Sequence, residues 1–344
     1  MSTHAQGAST LQDVAYKAGV SLATASRVLN GSTRRVGDDP RRRVLAAAAR
    51  LNYSANAQAQ AMARGRTNVI GLLVHDLADP YFSTIAASVI AAADKHRLLV
   101  TIASTDRRPE RELEYVATLR GQRARAVILA GSRMEGAVEI DRLGAELTTF
   151  EAAGGRVALI SQRGLPVNTV LVENRAGARH LATELVALGY RRFAVLAGPL
   201  PLLTAKDRAS GFREGLARAG IALSPADVVA GDFTRDGGYA GMTALLDVGL
   251  HSACVFAVND VMAVGAMAAL RDRGLQMPRD MAVAGFDDIV TLRDVTPALT
   301  TVRLPLGKIG EMALELVTSA QAERPHLRRI RGEVVLRAST PPLR

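Results

Sequence analysis

The chain has 344 residues, 48% hydrophobic and 22% charged, a composition that describes a soluble globular protein too long for one small domain and long enough for two or three cored ones. The formal net charge is +10, and residues 1–67 hold ten Lys and Arg against three Asp and Glu, a net of +7, so a polyanion partner is expected at that end. A lone cysteine, Cys254, excludes an intrachain disulfide and a cysteine-rich metal site, and the apolar runs are strand-length and interrupted, so no membrane span is expected.

Residues 1–8 are polar, lack the apolar core of a secretory signal, and are expected to be disordered. From Thr10 to Asn30, TLQDVAYKAGVSLATASRVLN predicts two short helices joined by a tight turn. Thr10 caps the first, Asp13 favours its positive end, and Gly19 supplies the left-handed residue that stops it. Ser21 caps a second helix that runs to about Leu29, with Asn30 and Gly31 closing it. Val14, Ala15 and Ala18 face inward from the first helix, and Val20, Ala25 and Val28 from the turn and the second, the pattern of a helix-turn-helix. Leu22, Ala23, Ser26, Arg27 and Asn30 share the opposite face. Short side chains and a forked Arg there suit a helix that reads base edges in a major groove; the alternative is an ordinary solvated face of a small bundle.

A basic loop, GSTRR, precedes Asp39 and Pro40, which predict a third helix through Leu51 with Val44, Leu45, Ala48 and Leu51 inward. Arg34, Arg35, Arg41, Arg42 and Arg43 are phosphate-contact candidates or, equally, a solvated charge run. The Ala-rich segment Asn56 to Arg64, NAQAQAMAR, is shorter than the roughly 12 to 15 residues at which an isolated helix persists, so it forms only when something stabilises it, or is a plain linker.

The string TLQDVAYKAGVSLATASRVLNG, the proline-started helix ending in LNY, and NAQAQAMARG together resemble the DNA-binding headpiece of the lactose/galactose repressor (LacI/GalR) family, and the resemblance continues through nearly the whole chain. It implies DNA contacts at Thr10, Leu11, Ser21, Leu22, Ala23, Thr24, Ser26, Arg27, Asn30 and Tyr53. It also implies a hinge helix, two copies of which pair on the DNA, with Asn56, Ala59 and the wedge residue Met62 at the minor groove. The chain departs from the family pattern in a basic loop one residue longer, in Pro40 for a common Thr, in Met62 for the usual Leu, and in Ala55 for a frequent Pro.

From Val69 onward, apolar runs alternate with helical stretches: VIGLLV (69–74), LLVTIAS (98–104), AVILAG (126–131), RVALIS (156–161), FAVLAG (193–198), ACVFAVN (253–259) and MAVAGFD (281–287). Strand-helix alternation predicts an α/β core with parallel sheets covered on both faces. The resemblance implies two periplasmic-binding-protein-like subdomains joined by three crossovers, near Pro166, Pro297 and Pro325. The expected organisation is an all-α helix-turn-helix headpiece at 9–54, a hinge and linker at 55–67, and an effector-binding and dimerisation domain at 68–344. Its N-subdomain is expected at about 68–165 and 299–325, and its C-subdomain at about 166–298 and 326–344.

Ligands in open parallel sheets bind beyond the carboxyl ends of the strands, where Asp76 and Asp79, Ser161 to Arg163, Asn259 and Asp260, and Asp287 and Asp288 stand. The resemblance implies that Tyr81, Phe82 and Phe233 stack on an effector and that Arg208, Asn259 and Asp287 hold its hydroxyls, with Asp79, Ser161, Arg163 and Thr204 around them. Core packing is the alternative for the aromatics, and capping of the next segment for Asn259 and Asp287. Leu202 and Leu203, in a ligand-facing loop, point to a less polar effector or a different pose.

The favoured function is a cytoplasmic, nucleoid-associated transcriptional regulator, a repressor, whose homodimer binds a pseudo-palindromic double-stranded operator under control of a small polar effector such as a sugar. No heptad tail follows the last strand, only STPPLR, so a dimer is expected and not a tetramer. An enzyme is disfavoured: G-x-S-x-G, H-E-x-x-H and G-x-x-x-x-G-K-[ST] are absent, no strand leads into G-x-G-x-x-G, and the six histidines show no metal spacing, so no catalytic residue, metal or cofactor is expected. A transport binding protein would need export and has no use for a DNA-reading headpiece.

Overall fold

The computed structural model describes residues 9–30, 36–53, 65–135, 139–249, 254–320 and 324–343. The chain divides into two compact units, Met1–Thr67 and Asn68–Arg344. In the first, α1 (Leu11–Ala18) and α2 (Leu22–Asn30) are followed by α3 (Asp38–Arg50). Thr10 and Asp13 form a reciprocal capping box: the Asp13 amide donates to Thr10 Oγ1 at 3.3 Å and the Thr10 amide to Asp13 Oδ2 at 2.8 Å. Gly19 ends α1 at φ +62, a conformation that would strain any side chain. Val14, Ala15, Ala18, Ala25, Val44, Ala47 and Ala48 make the core of this unit, with Val20, Val28 and Leu51 at its rim. Each wholly buried valine contributes about 1.5 to 3 kcal/mol, which matters in so small a core.

Two expectations for α3 are corrected. It starts at Asp38 with Gly37 before it, so Asp39 lies inside the first turn, its carboxylate 3.5 Å from Arg42 and 3.2 Å from Arg43. Leu45 is half exposed and Ala47 takes the inward place, because steps of 100° put Val44, Ala47, Ala48 and Leu51 on one side and Leu45 on the other. The basic loop with Arg34 and Arg35 and the hinge segment with Asn56, Ala59 and Met62 lie outside the described residues.

The second unit begins with β1 (Val69–Val74), α4 (Pro80–Lys95), β2 (Leu99–Ser104), α5 (Pro109–Gly121), β3 (Ala126–Ala130), α6 (Glu139–Ala152), β4 (Arg156–Ile160) and β5 (Asn168–Val172). It continues with α7 (Asn174–Ala187), β6 (Phe193–Leu196), α8 (Leu203–Arg218), β7 (Val228–Val229), α9 (Arg235–Asp247), β8 (Cys254–Ala257), α10 (Asp260–Asp272) and β9 (Ala282–Ala284). It ends with β10 (Thr301–Arg303), α11 (Leu306–Thr318), β11 (Leu327–Ile330) and β12 (Glu333–Val335).

A six-stranded parallel sheet runs β11-β5-β4-β3-β1-β2, and a four-stranded parallel sheet runs β7-β6-β8-β9. Strands β10 and β12 pair antiparallel. The near-continuous apolar reading of β1 follows from burial on both faces. Ile70, Leu72 and Val74 point to one core and Leu73 to the other. Helix α11 packs on α4 and on β3, β4 and β5, closing the first half of this unit.

The subdomain boundaries are corrected by β5. Asn168–Val172 follows Pro166 yet pairs in parallel with β4, Ala158 opposite Asn168, so the chain leaves the first sheet after Val172 and not near Pro166. It returns between β10 and α11, later than Pro297, and β11 belongs to the first sheet beside β5, so the last departure follows Ile330 and not Pro325. The breakers Gly164 and Pro166 mark a turn between neighbouring strands.

In the second half, α7 and α8 pack together, as do α9 and α10. The α7–α8 contact depends on Gly211, where an added Cβ would collide with the Arg175 carbonyl oxygen of α7. Gly211→Ala is expected to destabilise the second unit by about 1 to 3 kcal/mol through overpacking, read from chemical denaturation; an unchanged midpoint would show that the two helices slide apart freely.

Candidate functional site

On the outer side of α2, Leu22, Ala23 and Arg27 are exposed and Ser26 is half-buried, while Ala25 is sealed in the core. The Thr24 amide donates to Ser21 Oγ at 3.2 Å and the two hydroxyls lie 2.9 Å apart, which fixes the start of α2. Thr10 spends its hydroxyl on Asp13 at 2.7 Å; Leu11 and Tyr53 are half-buried against the headpiece core. Asn30 ends α2, and its side chain lies outside the described residues. Arg41, Arg42 and Arg43 are exposed, so this unit presents short groove-compatible side chains, a guanidinium on α2 and further cations on α3.

In the second unit a cavity lies between the carboxyl ends of the two sheets. Asp79, Tyr81, Phe82 and Ser161 line it from one half and Thr204, Arg208, Phe233 and Asp287 from the other. Its floor is built on Arg208, which is 2% exposed. Arg208 Nη2 donates to Asp287 Oδ1 at 2.7 Å and Nη1 to Asp287 Oδ2 at 3.2 Å; Nη1 also donates to the Val258 carbonyl at 2.8 Å and Nε to Asn174 Oδ1 at 2.9 Å. The guanidinium carbon stands 4.0 Å from the centre of the Phe286 ring. Asp287 and Asp288 hold φ of +122 and +57, left-handed values that strain a non-glycine pair and that the surrounding bonds maintain.

Burial pushes the Asp287 carboxyl up to about 7, with Arg208 pulling the other way and Asp260 adding repulsion. Burial likewise raises Asp79, whose carboxylate caps α4 by accepting from the Tyr81 amide at 2.9 Å, and raises the Tyr81 phenol. Burial lowers His75, which keeps its imidazole neutral. A group of donors and acceptors in a cleft flanked by Tyr81, Phe82 and Phe233 can hold a ring with hydroxyls, the aromatics against its faces and the fork and carboxylate at its edge.

Two expected residues are not in this cavity. Arg163 is exposed, and Asn259, 1% exposed, accepts from the Met262 amide at 2.9 Å as the cap of α10. Several lining residues were missed. Asn174 follows β5, a strand hidden by the proline before it, and Ser132, His75 and Arg107 sit on loops whose aim depends on the fold, while Gln162 lies in the Ser161 to Arg163 stretch already singled out. Leu202, singled out for its loop, does line the cavity, and Leu203 is not among its walls.

The mouth is crossed by a set of bonds between the loop after β3 and the loop before α8. The Leu203 amide donates to the Arg133 carbonyl at 2.9 Å, the Glu135 amide to the Pro201 carbonyl at 2.8 Å and the Thr204 amide to Ser132 Oγ at 2.9 Å. Gln162 Nε2 donates to Thr204 Oγ1 at 2.6 Å, and Lys206 pairs with Glu135 at 2.6 Å. The two halves of the unit are thereby latched over the cavity.

Residues 10–56 match the family described as bacterial regulatory proteins, lacI family, and residues 182–340 match the periplasmic binding protein-like domain. The chain is 35% identical over 315 residues to the HTH-type transcriptional regulator GalS of Salmonella typhimurium, covering 91% of this chain and 90% of that one. Its fold is similar to that of the lac repressor dimer bound to operator and the anti-inducer ONPF, with a TM-score of 0.82 and 29% identity over 97% of this chain and 100% of that one. It is also similar to the transcriptional regulator CelR in complex with cellobiose, with a TM-score of 0.70 and 29% identity over 96% and 99% of the two chains. With a three-helix first unit, a second unit holding a cleft between two parallel sheets, and relatives matched across nine-tenths of its length, the chain belongs to the lacI family of bacterial regulatory proteins and is a DNA-binding transcriptional regulator.

Proposed function

We propose that this regulator is a homodimeric repressor of the bacterial cytoplasm that reads a pseudo-palindromic operator with α2, and that a small polyhydroxylated effector in the cleft of the second unit sets its operator affinity. The single observation that carries the effector reading is the buried Arg208–Asp287 fork at the cavity floor, flanked by Asn174, Tyr81 and Phe233. Arg208, Asp287 and Asn174 take ligand hydroxyls, Tyr81, Phe82 and Phe233 bracket the ring, and Asp79, Ser161 and Thr204 close its rim. Relatives whose structures hold cellobiose or the lac anti-inducer support a sugar-like class. Effector bound to both halves favours the latched arrangement over an open one, and a change in the angle between them is what the paired hinge segments would sense. Arg27 reads a base while Arg41 meets phosphate.

Arg27→Ala is expected to weaken operator binding by about 1 to 3 kcal/mol and relax one position in each half-site selected from random duplexes, whereas Arg41→Ala weakens all sequences alike. An unchanged selected site in Arg27→Ala would show that α2 does not lie in the groove.

Arg208→Gln leaves Asp287 buried without its partner and is expected to destabilise the second unit by about 3 to 5 kcal/mol and to abolish the effector response while operator binding persists at low temperature. Operator binding that still answers to effector in this variant would remove Arg208 from the site.

Effector affinity should also follow the Asp287 carboxyl, whose value near 7 leaves it largely protonated in mildly acidic solution. Ionised Asp287 is the better acceptor for ligand hydroxyls, so affinity should rise from about pH 6 to about pH 8 and level off above, by at most about tenfold per unit. Calorimetric titration across that range should show the slope in the wild type and its loss in Asp287→Asn; a flat wild-type profile would mean that the carboxyl does not change ionisation on binding.

A further inference from the structure

Beside the effector cavity lies a second, smaller recess. It shares His75, Arg107, Ser132 and Leu202 with the first and is bounded beyond them by Glu112 and Arg133. Arg133 is 9% exposed, and its Nη1 pairs with Glu112. Its Nε and Nη2 have no hydrogen-bond partner, and among the described residues they are the buried side-chain polar atoms left unmatched. These two nitrogens form one edge of the guanidinium, the edge that takes both oxygens of one carboxylate or phosphate. A buried donor pair left open in an interior that satisfies its other polar groups calls for an acceptor from outside the chain.

A second guanidinium stands at the passage between the chambers. Arg107 is half-buried, lines both, and lies 5.8 Å from the centre of the Phe233 ring. It follows Asp106 in a left-handed pair, with φ of +52 and +58, a strained backbone that directs the loop after β2 toward the cavity. The remaining charges near the chamber are already matched. Burial opposes ionisation of Glu112, but the pull of His75 and of Arg133 outweighs it and holds the carboxyl below its usual range, so Glu112 is an anion committed to Arg133 Nη1. His75 is neutral, Arg208 is matched by Asp287, and Asp79 caps α4. Two arginines thus face a space whose nearest carboxylate is spent.

We propose that the effector carries an acidic oxygen group, a phosphate or a carboxylate, that seats between Arg107 and the open edge of Arg133 while its polyhydroxylated body lies on Arg208 and Asp287. This rests on the effector reading above and narrows it from a neutral sugar to a phosphorylated sugar or a sugar acid. Arg133 also holds the latch, its carbonyl accepting from Leu203 and its amide donating to Gln162 Oε1 at 3.0 Å, so an anion on its guanidinium fixes the loop that joins the two halves.

The test is calorimetric titration of the full-length protein with neutral hexoses, their 6-phosphates, their uronic acids, and inorganic phosphate alone. Wild type is compared with Arg107→Gln, Arg133→Gln, Arg208→Gln and the double variant Glu112→Gln with Arg133→Gln, in which no buried carboxylate is stranded. The expected result is an acid form bound at least roughly tenfold tighter than its neutral parent, an advantage removed in each Arg107 and Arg133 variant. The 6-phosphate and uronate arms tell which acid is taken. Neutral hexoses bound as tightly as their acid forms, an advantage that survives Arg133→Gln, phosphate bound equally by wild type and Arg133→Gln, or no acid form bound at about 10 mM would each overturn the proposal. Neutral binding that disappears in Arg208→Gln keeps the polyol site while the acid group falls; no Arg208-dependent binding by any polyol overturns both.

Discussion

The second unit of this regulator is organised around one buried cation. Arg208 sits on α8 of the second half, and its partners come from three other places in the chain: Asn174 after β5, the Val258 carbonyl after β8, and Phe286 and Asp287 after β9. A guanidinium this far from water is tolerable only with its donors nearly all occupied, and each partner is therefore fixed in place by the same charge. That constraint accounts for the left-handed backbone at Asp287 and Asp288, since a relaxed turn would withdraw the carboxylate from the fork. It also explains how a chain with so few aromatics can build a specific cavity. The floor is rigid because hydrogen bonds from several segments converge on one guanidinium, and the aromatic side chains need only bracket what lies on it.

The latch over the mouth is of a different kind. Two of its bonds join backbone groups of two loops, and the side chains of Ser132, Thr204 and Gln162 and the exposed Lys206–Glu135 pair add to them. Exposed pairs and loop bonds are individually weak, so this arrangement can open without disturbing either sheet, which is the property a ligand-gated cleft requires. The latch and the second recess meet at Arg133: its backbone belongs to the latch, and its side chain lines the recess. A ligand reaching both chambers would touch the rigid element and the yielding one at once.

The small unit shows how far sequence can go when the contacts are local. Thr10 and Asp13, Gly19 and Ser21 act within a turn of themselves, and each performs the role its chemistry dictates. Leu45 was misplaced because a lone apolar side chain beside Val44 reads as core, whereas the helical step lets an alanine, Ala47, take the inward position. Alanine carries too little hydrophobic signal to compete with leucine in a pattern, though it fills a tight interhelical gap better.

In the larger unit, apolar runs and the polar residues that end them made the strand-helix alternation, the parallel sheets and Asp79, Ser161 and Asp287 legible, because these are properties of neighbouring positions, while Tyr81, Phe82, Thr204, Arg208 and Phe233 were legible only through the family resemblance. Tertiary structure alone decided that β5 and β11 belong to the first sheet, that Asn259 is a cap while Asn174 reaches Arg208, and that Arg163 is exposed and outside the cavity lining. It alone joined His75, Arg107, Glu112 and Arg133 around a second chamber. These depend on which distant segments lie side by side, and the free energy that selects such pairings comes from long-range burial and charge matching, which no local pattern of residues encodes.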